Sequence, residues 1–172
     1  MVPPSKVAFV TGVNGITGNA IVEHLIRQPE SEWSKIVITS RRPPTQVFWQ
    51  DHRIRLITLD FLRPVEELIY LMSSVCHDVT HAFFASYVHD ADFKKLKDYN
   101  IPLFNNFLLA IDVVAANSLQ RVCVQTGGKV WLFPRTLRVI DGRRRLKTNR
   151  GVALRCPPRA CRGSSSRRHG SV

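Results

Sequence analysis

Three glycines near the start of the chain stand at a spacing that suits the binding of a phosphate group. Gly12, Gly15 and Gly18 directly follow an apolar run at residues 7–10, and a helical pattern begins at Ile16. A strand, a glycine turn and a helix in that order bring backbone N–H groups close to an anion. The alternative is a packing turn without a ligand. The motif predicts a dinucleotide site, with cofactor contacts from Gly12, Asn14, Gly15, Ile16 and Gly18.

The end of the second apolar run indicates which dinucleotide would bind. Ser40, Arg41 and Arg42 follow the run at residues 35–39, and the nearest acid is Asp51. An acid at this place accepts hydrogen bonds from the ribose of NAD, whereas an arginine grips a 2′-phosphate through paired hydrogen bonds. These residues therefore favour NADP(H). The alternative is a solvated arginine pair before a proline turn.

An acid also closes the third apolar run. Asp60 follows residues 54–59 and precedes Pro64, which suits the first turn of a helix. Its carboxylate is placed either to meet the adenine edge of the cofactor or to cap that helix. The sequence leaves both roles open.

The elements that must position these residues alternate between strand and helix. Continuous apolar strands indicate a parallel sheet covered on both faces, and right-handed crossovers give the strand order 3-2-1-4-5. We therefore predict an α/β fold, a Rossmann-type doubly wound parallel sheet, with the fifth strand as an exposed edge. The first helix is expected to bury Ile16, Ala20, Ile21 and Leu25. Strands are predicted at residues 7–10, 35–39, 54–59, 80–85 and 121–125, and helices at 16–28, 64–74 and 103–117.

The net charge of +12 is concentrated at the end of the chain. Residues 135–172 hold twelve of the 25 Lys and Arg residues but one of the 13 acids, Asp141. With few apolar residues to offset chain entropy, this segment is predicted to be a disordered basic tail. The predicted domains are an incomplete NADP-binding Rossmann domain at 1–130 and an Arg-rich tail at 131–172. Nucleic-acid binding through that tail is the weaker of the functional alternatives.

The remaining composition favours a cytoplasmic protein without a metal. The four cysteines form no Cys-x-x-Cys pair, and Cys123, inside an apolar strand pattern, is expected to be a buried thiol. His77 and His81 are four residues apart but straddle a loop and a strand, which does not predict a metal site. No apolar stretch approaches the roughly 18 to 20 residues of a membrane span, and no signal peptide is expected.

Three segments together resemble a known family. The turn at 11–18, the segment at 78–84 and the segment at 125–129 are similar to atypical and extended short-chain dehydrogenases/reductases, most closely the progesterone 5β-reductase and iridoid synthase-like group. The resemblance implies an NADPH-dependent reductase of activated C=C bonds in small enones and enals, or of a ketone. Similar proteins are common in fungal natural-product pathways, which implies a role in secondary metabolism.

The resemblance also implies roles for residues after the fourth and fifth strands. Ala85, Ser86 and Tyr87 would line the cofactor, and Thr126 would lie beside it. Lys129 matches the lysine that holds the nicotinamide ribose and lowers the pKa of a catalytic tyrosine. As an alternative, Lys129 is a solvated loop residue.

The chain departs from this family pattern in one respect that bears on activity. The family's catalytic tyrosine follows the lysine, whereas Tyr70, Tyr87 and Tyr99 all precede Lys129. We expect a change of reading frame just after Lys129 and impaired catalysis in the chain as written. The alternative function is a non-catalytic NADP-binding protein, such as a pseudoenzyme or redox sensor.

Overall fold

The fold is described by a computed structural model that covers residues 5–43, 49–125 and 140–141. The strands are β1 (Lys6–Thr11), β2 (Trp33–Ser40), β3 (Ile54–Thr58), β4 (His81–Phe84), β5 (Arg121–Val124) and β6 (Ile140–Asp141). The helices are α1 (Ile16–Ile26), α2 (Val65–Cys76) and α3 (Phe93–Val114).

The strands form one sheet in the order β3-β2-β1-β4-β5-β6. Pairing is parallel from β3 through β5. This arrangement confirms the predicted Rossmann-type fold and the predicted order of its first five strands. Because parallel strands end at the same edge, the turns after β1, β2, β3 and β4 share the carboxyl-terminal edge of the sheet.

Strand β6 corrects the prediction for the end of the chain. It pairs antiparallel with Arg121 and Val122 of β5. Residues 140–141 therefore form a strand inside the segment predicted to be a disordered tail, and β5 is not an edge strand along this part. The other tail residues and the predicted domain boundary at 130 lie outside the described residues.

The sheet is covered on both faces, which explains why its strands are apolar at consecutive positions. On one face, α2 and α3 pack over an aromatic cluster in which Phe84 and Phe107 have ring centroids 4.8 Å apart. Phe61 meets Phe107 edge to face, with centroids 5.6 Å apart. On the other face, α1 packs Val22 and Leu25 against the sheet.

The buried face of α1 agrees with the predicted one at Leu25, and Ile21 packs partly buried against the same core, but Ile16 and Ala20 differ from the prediction. Ile16 is 93% exposed and Ala20 is also exposed, whereas Gly18, Val22 and Leu25 are buried. The buried residue in the first turn of α1 is Gly18. Because glycine has no apolar side chain, the spacing of apolar residues cannot show that this position faces the sheet. Ile16 is thereby free to serve the predicted site instead of the core.

Helix α3 begins ten residues before the predicted start. Pro102 lies inside the helix, and a proline cannot donate the usual backbone hydrogen bond, so the pattern favoured a helix beginning near it. The earlier turns are held by Asn100, whose Nδ2 donates to the carbonyl of Leu96 at 2.9 Å.

The predicted burial of Cys123 is wrong, because this residue is exposed on β5. Its neighbour Val122 is buried. The two residues point to opposite faces of the strand, and the described residues cover the face of Val122 alone. A continuous apolar pattern is typical of a strand covered on both faces, and for this reason it predicted burial at a position that is exposed.

At the amino-terminal edge of the sheet a buried arginine joins three elements. The Arg53 guanidinium donates to the carbonyl oxygens of Ile26 at 2.8 Å, Gln28 at 3.0 Å and Trp33 at 3.1 Å. It also pairs with Asp51, with Nη2 and Oδ2 2.7 Å apart. The hydrogen bonds from Arg53 lower the pKa of Asp51 to about 2. Arg53 therefore binds the end of α1 to the start of β2.

Candidate functional site

The turn after β1 excludes side chains at two of its three glycines. Gly12 has φ +68°, and a Cβ there would lie 2.6 Å from the carbonyl oxygen of Ala85. A Cβ on Gly18 would lie 2.3 Å from the carbonyl oxygen of Gly12. Gly15 is less constrained, with 3.3 Å to the same oxygen. The backbone of the turn is therefore closely packed on its inner side and bare on its outer side.

The start of α1 offers backbone donors to an anion. Gly15 is the N-cap residue and no side chain caps the helix. The N–H groups of Ile16, Thr17 and Gly18 lie in the first turn, where no earlier helical carbonyl reaches them. With the positive end of the helix dipole, these groups suit a phosphate. The bare turn and the uncapped helix start thus fit the pyrophosphate of a dinucleotide.

Thr11 connects the glycine turn with the loop after β4. Its side chain is fully buried, and its Oγ1 accepts hydrogen bonds from the N–H groups of Ala85 at 3.0 Å and Ser86 at 3.2 Å. One hydroxyl therefore fixes the distance between two walls of the crevice. The sequence pattern does not reveal this role, although Thr11 directly precedes the first glycine.

The end of β2 is tied to the same turn. The carbonyl oxygen of Arg42 accepts hydrogen bonds from Ser40 Oγ at 2.5 Å and from Asn14 Nδ2 at 3.1 Å. Arg41 and Arg42 are both exposed. The structure therefore brings the predicted arginine pair next to the glycine turn and holds its backbone there.

Asp60 does not cap helix α2, and its predicted contact with the adenine stays a prediction. Its Oδ1 accepts a hydrogen bond from the N–H of Leu62 at 3.0 Å, within its own loop. Helix α2 has Pro64 at its N-cap and no side-chain cap, so the capping alternative is wrong. Asp60 also lines a cavity of about 260 Å³ at the carboxyl edge. The described residues around this cavity are Arg41, Thr58, Asp60, Arg63 and Leu71.

The loop after β4 forms the opposite wall of the crevice. Ala85 and Ser86 are held by Thr11, and Tyr87 follows with its side chain 63% exposed. The backbone of Val88 exchanges two hydrogen bonds, both 2.9 Å long, with the side-chain amide of Asn100 on α3. The early turns of α3, missed by the sequence pattern, are thus what supports this loop.

Two predicted site residues, Thr126 and Lys129, lie outside the described residues. Val124 ends β5 just before them, at the carboxyl edge that carries the glycine turn. In the part of the chain that the structure describes, no group of three or more His, Cys, Asp or Glu residues is arranged to hold a metal ion. No helix among these residues is long and apolar enough to span a membrane.

The strand order and the glycine turn at the carboxyl edge define a domain of the Rossmann class. Solved structures share this fold. A yeast methylglyoxal/isovaleraldehyde reductase complexed with NADPH has a TM-score of 0.56 at 18% identity, over 69% of this chain and 36% of that one. A variant of uronate dehydrogenase from Agrobacterium tumefaciens complexed with NAD has a TM-score of 0.53 at 14% identity, over 72% and 41%.

Within that class, the chain belongs to the family of PRISE-like Rossmann-fold domains, whose model matches residues 8–136. It is 46% identical over 127 residues to the short chain dehydrogenase gsfE of Penicillium aethiopicum, covering 73% of this chain and 33% of that protein. It is 36% identical to a 3-oxo-Delta(4,5)-steroid 5-beta-reductase of Arabidopsis thaliana, covering 81% and 34%. An (S)-8-oxocitronellyl enol synthase of Nepeta cataria is 33% identical, over 74% and 32%.

These matches confirm the resemblance to short-chain dehydrogenases and to the 5β-reductase and iridoid synthase group. The chain spans about a third of the length of these curated relatives. Residues 8–136, which the family model matches, include the glycine turn, the arginine pair, most of β1 and all of β2 to β5.

Proposed function

We propose that this chain binds NADP(H) at the carboxyl edge of its sheet. The observation that carries the proposal is the pair of hydrogen bonds from Asn14 and Ser40 to the carbonyl of Arg42. They hold the arginine pair beside the turn that suits the pyrophosphate. Two arginines whose backbone is tied to a phosphate-binding turn favour a 2′-phosphate over a free ribose hydroxyl.

A titration with NADPH and NADH tests this proposal. Replacing Arg41 and Arg42 together with Ala should weaken NADPH binding roughly tenfold or more, because charged hydrogen bonds to the phosphate are lost. NADH binding should change little. Arg27→Ala, which removes an exposed cation at the far end of α1, is the control. Equal weakening of the two nucleotides, or no binding of NADPH by the unaltered chain, would contradict the assignment.

We further propose that the longer proteins of this type reduce a conjugated C=C bond or a ketone of a small organic substrate. The names of the relatives, a steroid 5-beta-reductase and an enol synthase, support this class of reaction. When bound, NADPH supplies the hydride. Within the 172 residues, Lys129 is proposed to hold the nicotinamide ribose and Thr126 to lie beside it.

For the chain as given, we expect nucleotide binding with little or no turnover. A reductase needs a donor at the substrate carbonyl, and the three tyrosines of this sequence all precede Lys129. Turnover of a panel of enones with NADPH separates a working reductase from a binding protein. A measurable rate that disappears in Lys129→Met would show that catalysis is retained.

We place the protein in the cytoplasm, which fractionation of the tagged chain would check.

A further inference from the structure

A second element contributes a cation to the cavity beside Arg41. Arg63 lies in the loop that leads from Asp60 into α2, and it lines the same cavity of about 260 Å³. We propose that Arg63 is a specificity-determining residue that binds the 2′-phosphate end of the cofactor together with Arg41. This inference rests on the proposed NADP(H) site and adds a residue from a different loop to it.

The backbone that carries Arg63 is fixed. The N–H of Arg63 donates to the carbonyl of Asp60 at 3.0 Å. Asn106 on α3 donates through Nδ2 to the carbonyl oxygens of Phe61 at 2.8 Å and Arg63 at 3.2 Å. Phe61 is 3% exposed and anchors the loop in the core. The guanidinium therefore extends from a rigid base, which lowers the entropy lost when it meets a phosphate.

The side chain of Arg63 is held by a carboxylate that a phosphate can replace. Arg63 forms an ion pair with Glu67, four residues later in the first turn of α2, and the side chain of Arg63 is 57% exposed. A phosphate carries more charge than a carboxylate and offers three acceptor oxygens, so it competes well for an exposed guanidinium. Glu67 thus competes with the 2′-phosphate for the guanidinium of Arg63.

This arrangement makes Arg63 and Glu67 act in opposite directions on one ligand. Removing the cation costs NADPH affinity, and removing the carboxylate increases it. NADH has no 2′-phosphate and responds to neither change. Loss of a structural contact would instead alter both nucleotides together.

The experiment measures the dissociation constants of NADPH and NADH by calorimetry for Arg63→Met and Glu67→Gln. Arg63→Met should weaken NADPH roughly fivefold, as expected for a partly exposed ion pair, and Glu67→Gln should tighten it about twofold. The matched controls are Arg27→Met and Glu23→Gln on α1, which form an exposed pair with the same four-residue spacing. The control variants should leave both constants unchanged.

The probes 2′,5′-ADP and 5′-AMP locate the effect, because they differ in the 2′-phosphate. Arg63→Met should weaken 2′,5′-ADP and spare 5′-AMP. If the unaltered chain binds NADPH but Arg63→Met changes both probes equally or neither, the role of Arg63 is wrong while the NADP(H) site stands. If the unaltered chain binds neither NADPH nor 2′,5′-ADP, the proposed function itself fails.

Discussion

The two ends of the sheet use their charged and polar groups for different purposes. At the amino-terminal end, Arg53 and Asp51 are paired inside the protein, and Lys35 meets Asp78 with Nζ and Oδ1 2.5 Å apart. At the carboxyl-terminal end, Arg41 and Arg42 are exposed beside a bare turn and an uncapped helix. The difference indicates that ion pairs stabilise the amino-terminal end, whereas Arg41, Arg42 and the start of α1 are open to a ligand at the carboxyl-terminal end.

The largest expected effect on stability comes from removing the buried Arg53–Asp51 ion pair at the amino-terminal end of the sheet. Arg53→Met should lower the free energy of unfolding by about 3 kcal/mol, because Asp51 loses its partner and three carbonyls lose a donor. Urea unfolding measures this loss. The control Arg55→Met removes an exposed arginine at the second position of β3 and should change the free energy of unfolding little. Equal effects of the two substitutions would show that the buried pair contributes no special stability.

A second test concerns two buried threonines at paired positions. Thr11 lies opposite Thr39 in the sheet. Thr11→Val should cost about 1–3 kcal/mol of stability, because the N–H groups of Ala85 and Ser86 lose their acceptor. Thermal or urea unfolding measures the cost. NADPH affinity should also fall, since the two walls of the crevice are no longer held together.

Thr39→Val is the matched control for this test. The buried Thr39 Oγ1 has no hydrogen-bond partner among the described residues, so valine should be neutral or stabilising there. A result in which both valine substitutions cost the same would assign the effect to packing and not to the hydrogen bonds.

The smallest expected effect is a pH dependence at the amino-terminal end. Burial, with the nearby charges of Lys6 and Arg121, lowers the pKa of His81 below its ordinary value of 6.5. The folded state therefore favours the neutral imidazole, and stability is lost as the pH falls from about 6.5 towards the lowered pKa. His81→Asn should reduce the loss measured by urea unfolding at pH 7 and pH 5. An unchanged loss would exclude His81 as its source.

Most of the fold was predictable because strands covered on both faces leave continuous apolar runs in the sequence. The errors have local causes. Pro102 concealed the true start of α3, and the exposed Cys123 lies on a strand whose apolar pattern does not reveal which face is covered. The two-residue strand β6 is too short to leave any periodic signal.

The glycine turn and the arginine pair of the candidate site were visible in the sequence, but the contacts that hold them in place were not. The glycine spacing and the arginine pair could be read directly. The hydroxyl of Thr11 and the amide of Asn100 act through contacts between segments that are separate in the chain. Arg63 lines the same cavity as Arg41 because the fold brings their two loops together. Nothing in the neighbouring sequence marks such contacts, because a threonine, asparagine or arginine that lacks them has the same local pattern.

The hydroxyl of Thr11 has a consequence for the order of events during folding. It accepts hydrogen bonds from Ala85 and Ser86, which lie 74 and 75 positions after Thr11 in the chain. The glycine turn is synthesised early, yet its opposite wall is fixed only when β4 has paired with β1, a non-local step. Cofactor binding should therefore develop late in refolding, with the docking of β4, and would serve as a kinetic reporter of completed strand order.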